Sequence, residues 1–434
     1  MGTRRAVGRI SRPVGVEGSP FDVENRSMAR MFGDRSPGVL YVVFVTFLIS
    51  VPLDAEDGVR FQFDIADGES YRMVSINDQT ISLAGYPVRE AQIVTRVQID
   101  PDGSDGERGR YRARFFLTES DRRLGDPVGF RDEYRSVYTR DSRGFMEIDD
   151  VYLMPVAREL PVFPDSEVGL GERWTAPARE VHDLSAGYGL SEPLRMTFPV
   201  SYRYAGPGRW RGREVHVIEA EFSIAHRERR AAELYPSLVS GRSSQVLYWD
   251  PRRGRLAGSE EEYWIHFLLS NGQTITYEGR AVTEVLEARP LDRSATVDTM
   301  ERLLEESDVR DVSVVTDGNG VSIVLENVAF PPDSARLLPE EEARLGSIAR
   351  ILERYRDHDV LITGHTALAG TEEGRRALSI ERSRAVGDFL LRRGTRRPEQ
   401  ILYRGVGAGE PIADNRTEAG RRMNRRVEIT VLDN

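Results

Sequence analysis

Residues 362–390 read "ITGHTALAGTEEGRRALSIERSRAVGDFL" and decide how the C-terminal part of the chain folds. A short apolar run ends at a Gly-His-Thr turn. After a polar link the sequence takes up the 3.6-residue period of a helix, which Gly394 ends. The apolar side of that helix carries Leu378, Ala385, Val386 and Phe389. The stretch therefore predicts a strand, a turn and a helix over 375–393, and a helical wheel puts Arg382 in the middle of the apolar side.

An arginine on the packed side of a helix requires a partner, because burying an unpaired guanidinium is costly. The wheel alone leaves three possibilities open. Arg382 forms an internal ion pair, or its stem packs while its head reaches solvent, or its head binds an anionic ligand through a cleft.

Strands and helices alternate through the rest of the C-terminal region. Asp317-Gly318-Asn319-Gly320 is a hairpin signal between two apolar runs. The other predicted elements are a connecting helix at 294–308, helices at 339–355 and 417–423, and strands at 359–364, 400–407 and 425–432. The order β-α-β-α-β-(α)-β predicts a small α/β domain over 312–434, preceded by a connector at 291–311.

Several motifs of this region resemble one known family. They are the Gly-His-Thr turn, Gly370, the Leu378-Ser379 pair, Pro411, Asn415, Gly420 and the Asn-Arg-Arg-Val-Glu ending at 424–428. Together with "VAFPPDSARLLP" at 328–339, which is similar to the family's first ligand loop, they make 312–434 resemble the OmpA C-terminal-like family of peptidoglycan-binding domains.

The resemblance implies a role for Arg382. In that family the domain holds the stem peptide of the cell wall non-covalently through its diamino acid. An aspartate after the Gly-His-Thr turn takes the ammonium, and an arginine fifteen residues later takes the carboxylate. Arg382 matches that arginine, and the resemblance places Asp333, Thr366, Ala367 and Arg375 around the same ligand. The chemistry suits a small zwitterion, because the guanidinium fork can meet a carboxylate with two parallel bonds.

The chain also departs from the family pattern at two of these positions. Ala367 stands where the aspartate is expected, and Arg375 stands where an asparagine is usual. Losing a charge-assisted hydrogen bond weakens binding by about 1.5–3 kcal/mol. Three explanations stay open: a stem peptide with another diamino acid such as ornithine, weak binding of the usual ligand, or loss of wall binding in a domain that serves as a spacer or partner module.

For the second explanation, weak binding, the missing anion would come from Asp333, Glu372 or Glu373. His365 and Thr366 are expected to be structural, because a Gly-His-Thr turn at the end of a strand is more often structural than catalytic. The Asn-Arg-Arg stretch at 424–426 is expected to fix the last strand and the loop beneath it.

Residues 58–290 show the period of two that is typical of strands. The alternating runs are 59–65, 91–99 and 110–117, and 263–279 is a hairpin around Asn271-Gly272, a pair that a type I′ turn favours. No long helical stripe occurs in this region. It therefore predicts an all-β domain, a sandwich or barrel-like sheet, with 159–180 as a long surface loop or an edge.

The N-terminal 55 residues contain an apolar core at 39–53 after two arginines, which predicts a signal peptide and export to the periplasm. The chain has no cysteine, so disulfides and thiolate metal sites are excluded. A formal net charge of -10 argues against nucleic acid as a partner. The six histidines form no metal-binding spacing, and no nucleophile elbow or phosphate loop is present, so no catalytic residue, metal or cofactor is predicted.

The predicted function is that of a non-catalytic protein of the cell envelope. Its C-terminal module would dock on peptidoglycan, and 58–290 would contact the outer membrane or another envelope protein. One alternative is a porin-like outer-membrane β-barrel with a periplasmic OmpA-like domain. Another is an OmpA-like fold that no longer binds the wall and serves as a structural or interaction module.

Overall fold

Alternation of buried and exposed side chains builds most of the N-terminal region. The computed structural model describes residues 58–433, apart from 67, 122–128, 185–191, 231–233, 289–290, 327, 329 and 331–333. The predicted signal segment at 39–53 and the candidate ligand residue Asp333 lie outside the described residues.

Twelve strands form one antiparallel sheet in the described part of 58–290, which confirms the predicted all-β class. Their bounds are β1 Tyr71–Leu83, β2 Tyr86–Ser104, β3 Arg108–Asp121, β4 Gly129–Asp141, β5 Met146–Ile148, β6 Ala157–Arg158, β7 Arg173–His182, β8 Leu194–Trp210, β9 Arg213–Arg227, β10 Pro236–Asp250, β11 Arg255–Leu269 and β12 Thr274–Glu287. Consecutive strands are neighbours except β5 and β6, which form the two edges, and β1 pairs with β12.

The sheet has a packed inner face and a polar outer face. In β8, Met196, Phe198 and Val200 are buried, whereas the residues between them are exposed. This is the pattern of a sheet that covers a core with one face only. The inner residues of β7–β11 belong to one large apolar cluster.

The predicted strand at 59–65 is wrong, although its alternation is real. Phe61 and Phe63 are buried and their neighbours are exposed, yet only Val59 makes a strand-like bridge, to Val168. The segment lies across the inner core, where the Phe61 and Phe163 rings stack 5.4 Å apart. A period of two reports which side chains are buried, and here it does so without a paired strand.

The stretch 159–180 differs from the predicted surface loop. Val162 and Phe163 are fully buried, and the Trp174 indole donates to the Val162 carbonyl at 2.9 Å. Residues from Arg173 onward form β7, which is next to the edge strand β6. The many turn residues predicted an exposed chain, but they let this chain fold back into the core.

The hairpin around Asn271-Gly272 is present, with a different turn. Gly272 has a φ of 85°, whereas Asn271 is not among the residues with positive φ. A type I′ turn needs positive φ at both central residues. The connection is instead a four-residue loop, in which Gly272 N donates to Leu269 O at 2.9 Å.

The C-terminal region is an α/β domain, as predicted. Its strands are β13 Val312–Thr316, β14 Gly320–Glu326, β15 Val360–His365, β16 Ile401–Gly407 and β17 Arg426–Leu432, in the order β13-β14-β17-β15-β16. Its helices are α1 Arg293–Glu306, α2 Pro339–Leu352, α3 Glu372–Arg392 and α4 Glu418–Asn424, with short 3-10 turns at Glu353–Tyr355 and Pro398–Gln400. None of these helices, the ones that the structure describes, is long and apolar enough to cross a membrane.

Helix α1 packs into this domain. Met300 and Leu304 of α1 are buried in the same apolar cluster as the central strands. Arg293 at the start of α1 pairs with Asp433 at 2.9 Å, beside the end of β17. The connector at 291–311 is therefore folded onto the C-terminal domain, and the division into domains stays a prediction.

The C-terminal domain contacts the outer face of β1–β3. Phe116 of β3 packs with Leu361, Leu402 and Leu432 in one apolar cluster. Beside it, the buried carboxylate of Asp359 lies 3.2 Å from Arg96 Nε. We call this contact the docking interface. A second arginine, Arg72, reaches Asp359 at 3.6 Å.

The hairpin between β13 and β14 adds to the docking interface. Arg114 of β3 donates from Nη1 to the carbonyl of Gly318 at 2.6 Å. Within the C-terminal domain, Arg293 of α1 donates to the carbonyl of Asp317 at 2.8 Å and so holds the same turn. The interface thus combines apolar packing, a buried ion pair and a hydrogen bond to a turn.

Candidate functional site

The site begins where β15 and β16 lie against α3 at very short range. A Cβ on Gly364 would lie 2.1 Å from the carbonyl oxygen of Ser379, so only glycine fits. The Ser379 hydroxyl accepts from Gly407 N at 2.9 Å and donates to Arg376 O at 2.8 Å. The helix is therefore anchored to both strands through small residues, one turn before Arg382.

Helix α3 begins at a standard cap. The Thr371 side chain accepts from Gly374 N at 3.1 Å, after Gly370 has turned the chain with a φ of 74°. Glu372 and Glu373 occupy the first turn, where negative charge suits the helix dipole. Both are exposed, so their carboxylates lie at the surface of the domain.

Arg382 lies on the buried side of α3, as the wheel predicts, and is only 8% exposed. Its Nε donates to the carbonyl of Ser334 at 3.3 Å. Its guanidinium lies over the ring of Phe330, 4.9 Å from the centroid. We call Arg382 with Phe330 and Ser334 the Arg382 site. It brings α3 together with the loop that resembles the family's first ligand loop.

The turn after β15 places Thr366 and Ala367 in buried positions. Ala367 is 7% exposed, and Thr366 N donates to Gly407 O at 2.8 Å. Among the described residues, the Thr366 hydroxyl has no hydrogen-bond partner. The next residue, Leu368, is 59% exposed. We call residues 365–370 the Ala367 turn.

Arg375 has different neighbours from Arg382. Its Nη1 donates to the carbonyl of Gly370 at 2.5 Å. It lines an open groove of about 870 Å³ between the start of α3, the end of β16 and Glu133 of β4, together with Glu372 and Glu373. Arg382 therefore lies at the first ligand loop, whereas Arg375 lies at the groove.

Asn424 ties the loops around the Ala367 turn together. Its Oδ1 accepts from the backbone nitrogens of Ile412 and Ala413 at 2.8 and 3.0 Å. Its Nδ2 donates to Asn415 Oδ1 at 3.0 Å, and the same oxygen accepts from Leu368 N at 3.1 Å. The first residue of the Asn-Arg-Arg motif therefore fixes the loop at 411–417, and through it the Ala367 turn.

His365 is a buried structural residue in this geometry. Its Nε2 lies 3.4 Å from Glu428 Oε1, and Arg426 Nε donates to the same carboxylate oxygen at 2.7 Å. Burial lowers the pKa of His365, so the ring is neutral near pH 7. Burial also acts to raise the pKa of Glu428, but His365 and Arg426 outweigh it and lower that pKa to about 2.

Sequence reasoning located Arg382 but did not predict the burial of the serines through which α3 packs against the sheet. Ser379 and Ser383 are fully buried on α3, although a hydrophobicity pattern counts them as polar. The available signal was the glycines of the facing strands, Gly364 and Gly405, because glycine in a strand marks a close backbone approach. Among the described residues, no group of three or more His, Asp or Glu side chains could hold a metal ion.

Comparison with known proteins gives one family match. Residues 329–425 match the model of the OmpA family. The match contains the Arg382 site, the Ala367 turn and most of the Asn-Arg-Arg motif.

Similar proteins include peptidoglycan-binding protein ArfA of Mycobacterium tuberculosis, 39% identical over 104 residues, which are 24% of this chain and 32% of ArfA. Probable lipoprotein YiaD of Escherichia coli is 33% identical over 135 residues, 30% of this chain and 61% of YiaD. This chain thus spans less than two thirds of either relative. A solved structure, the peptidoglycan-associated lipoprotein of Burkholderia pseudomallei, is 30% identical with a TM-score of 0.23 and covers 24% of this chain and 88% of its own.

Proposed function

Because residues 329–425 belong to the OmpA family, we propose that the C-terminal domain binds the stem peptide of peptidoglycan non-covalently. The observation that carries the proposal is the Arg382 site. A buried guanidinium faces the loop that resembles the family's ligand loop, and it is held there by a ring and a carbonyl. The similarity to a protein named for peptidoglycan binding supports the same ligand.

The chemistry of the Arg382 site suits a carboxylate. The Phe330 ring and the Ser334 carbonyl fix the plane of the guanidinium, so little side-chain freedom is lost when an anion binds. A guanidinium can meet a carboxylate with two parallel hydrogen bonds. In a site shielded from water such bonds are stronger than at an open surface. We assign Arg382 as the residue that takes the carboxylate of the diamino acid.

The test is calorimetric titration of the full chain with muropeptides. Arg382→Ala should weaken binding by about 1.5–3 kcal/mol, the value of a charge-assisted hydrogen bond. Arg392→Ala is the matched control, because Arg392 is an exposed arginine of the same helix that bridges only weakly to Glu342 at 4.0 Å. Unchanged binding in Arg382→Ala would remove this assignment. No binding of any muropeptide by the natural chain would favour the spacer alternative.

We further propose that the protein acts in the periplasm without catalysis, with 58–290 contacting the outer membrane or another envelope protein. The hairpin between β1 and β2 supports this contact, because Tyr86 is 76% exposed and Leu83 and Val88 are also exposed there. Co-sedimentation with phospholipid vesicles, using Tyr86→Ser as the variant, separates the two partners. Vesicle binding that depends on Tyr86 indicates the membrane, and its absence indicates a protein.

The outer face of the sheet supports a β region that is not embedded in lipid. Arg203 pairs with Glu219 at 2.6 Å, and Arg242 lies 3.8 Å from Glu221. A lipid-facing surface carries an apolar band instead. A chain starting at Glu56 should therefore stay monodisperse without detergent. Recovery only in detergent would favour the porin-like alternative.

A further inference from the structure

We propose that the domain selects stem peptides whose distal amine is acylated, as in a cross-linked wall, over stem peptides whose distal amine is free. The inference rests on the proposed function and specifies its ligand. It follows from two buried residues of different character: a cation at the Arg382 site and an apolar residue at the Ala367 turn.

The two forms of the ligand differ in one charge. The distal carbon of a free diaminopimelate carries an ammonium and a carboxylate. When the amine is joined to a neighbouring peptide, the nitrogen becomes a neutral amide and the carboxylate stays. The acylated form therefore presents one negative charge, and the free form presents a zwitterion.

The protein offers Arg382 for the carboxylate of the ligand, whereas the Ala367 turn has no negative charge for the ammonium. Gly364 contacts Ser379 at the backbone, so the Ala367 turn leaves β15 beside the part of α3 that carries Arg382. Ala367 contributes a buried methyl group, and Leu368 beside it is an exposed apolar side chain. Residues 365–370 contain no carboxylate, so an ammonium brought against this turn would lose water without gaining an anion from the turn, which is costly. A neutral amide has a much smaller desolvation cost.

The Thr366 hydroxyl also favours a ligand with an acylated amine. It is buried and has no hydrogen-bond partner among the described residues. A hydroxyl both donates and accepts, and an amide offers an N–H and a C=O. Leaving a buried hydroxyl unsatisfied is unfavourable, so a ligand amide at the turn would supply what the protein lacks.

The other candidate ligands fit these residues less well. Ornithine has a distal ammonium and no distal carboxylate, which is the reverse of what Arg382 and Ala367 offer. Glu372 and Glu373 are exposed at the start of α3 and line the groove beside β16. A carboxylate in that position is hydrated, and it stabilises an ammonium much less than a buried aspartate would.

The experiment compares two probes on the full chain by calorimetric titration. The first is muramyl tripeptide with meso-diaminopimelate and a free distal amine, and the second is the same molecule acetylated on that amine. The natural chain should bind the acetylated probe at least about 10-fold more tightly. Ala367→Asp should reverse the preference. Ala369→Asp is the matched control, because it adds the same charge to an exposed position of the same turn and should keep the natural preference.

Each outcome decides the proposal. Equal affinity for the two probes, or tighter binding of the free amine by the natural chain, overturns the selection and leaves wall binding intact. Binding of neither probe overturns the proposed function as well. Far-ultraviolet circular dichroism establishes that each variant is folded, and if Ala367→Asp is unfolded the preference of the natural chain alone decides.

Discussion

Two regions of the molecule each bury an arginine, and the neighbours of these arginines differ. At the docking interface Arg96 is 5% exposed and faces the carboxylate of Asp359. At the Arg382 site an equally buried guanidinium faces a carbonyl and an aromatic ring. At the docking interface, Asp359 supplies a full negative charge beside Arg96. At the Arg382 site, the described groups that contact the cation are a carbonyl dipole and an aromatic ring.

This difference separates a structural role from a binding role. Removing one member of a buried ion pair leaves the other charge uncompensated and destabilises the protein strongly. An arginine oriented by a carbonyl and a ring can still gain from an incoming anion. We therefore expect changes at the docking interface to affect stability, and changes at the Arg382 site to affect ligand binding.

The largest expected effect is that of Asp359→Ala. It leaves Arg96 buried beside an apolar cluster without its carboxylate, and should lower the free energy of unfolding by about 3–5 kcal/mol in urea titrations. Glu353→Ala, six residues away at an exposed position, is the control and should cost less than about 0.5 kcal/mol. The double change Arg96→Met with Asp359→Leu should recover much of the loss. A cost near zero for Asp359→Ala would mean that the two regions are not docked in solution.

The next effect concerns pH and tests a third buried group, His365. Burial lowers its pKa in the folded protein relative to about 6.5 in the unfolded chain. Protons therefore bind more tightly to the unfolded chain, and stability is complete above pH 6.5 and falls as the pH drops below it. The slope contributed by one such group is at most about 1.4 kcal/mol per pH unit.

Urea unfolding between pH 7.5 and 5 measures this dependence. The range stays above the window of Glu428, whose lowered pKa removes stability only as the pH falls below its ordinary value near 4.5. His365→Asn should give a shallower dependence than the natural chain. An identical slope in both would show that the ring is accessible to protons in the folded state.

A smaller effect is expected on stability from Arg382→Ala. The change removes the hydrogen bond to the Ser334 carbonyl and the contact with the Phe330 ring, and the loss of these two should lower the free energy of unfolding by about 1 kcal/mol. The same urea titrations measure it beside Asp359→Ala. A loss as large as that of Asp359→Ala would make the arginine structural and remove the contrast between the two regions.

The smallest effect is expected when a protease cleaves the chain between the β region and the C-terminal domain. Limited proteolysis should cut within 288–312. Because Met300 and Leu304 of α1 are buried in the C-terminal domain, we expect the cut before that helix. The two pieces should still elute together in gel filtration, held by the docking interface, and should separate in Asp359→Ala. Resistance of the whole interval to protease would contradict the proposed boundary.

The elements of the C-terminal domain could be predicted well because their signals are local. The helix that ends before Gly394, the hairpin at Asp317–Gly320 and the strand at 360–365 each follow from a period and a turn residue within the same segment. The position of Arg382 on the packed side of α3 follows from the same period. Its contacts with Phe330 and Ser334 could not be predicted, because they join segments that are distant in sequence.

The sequence-based predictions were wrong for two segments whose packing partners in the folded protein could not be known from the sequence. Residues 59–65 alternate as a strand does, but their burial comes from lying across the inner core. The turn-rich chain at 159–163 looked exposed, yet Phe163 is buried beneath Phe61. Both segments fill space that only the folded sheet creates.

By itself the sequence determined the alternation of strands and helices, the side of α3 that carries Arg382, and the apolar residue at position 367, where the family resemblance implies an aspartate. The tertiary structure decided that Arg96 lies beside the Asp359 carboxylate and that Arg382 lies beside the Ser334 carbonyl and the Phe330 ring. The physical reason is that secondary structure depends on backbone preferences and on the spacing of apolar side chains within one segment. The energy of a buried charge depends on the groups around it in space, and at the docking interface Arg96 and Asp359 are far apart in sequence.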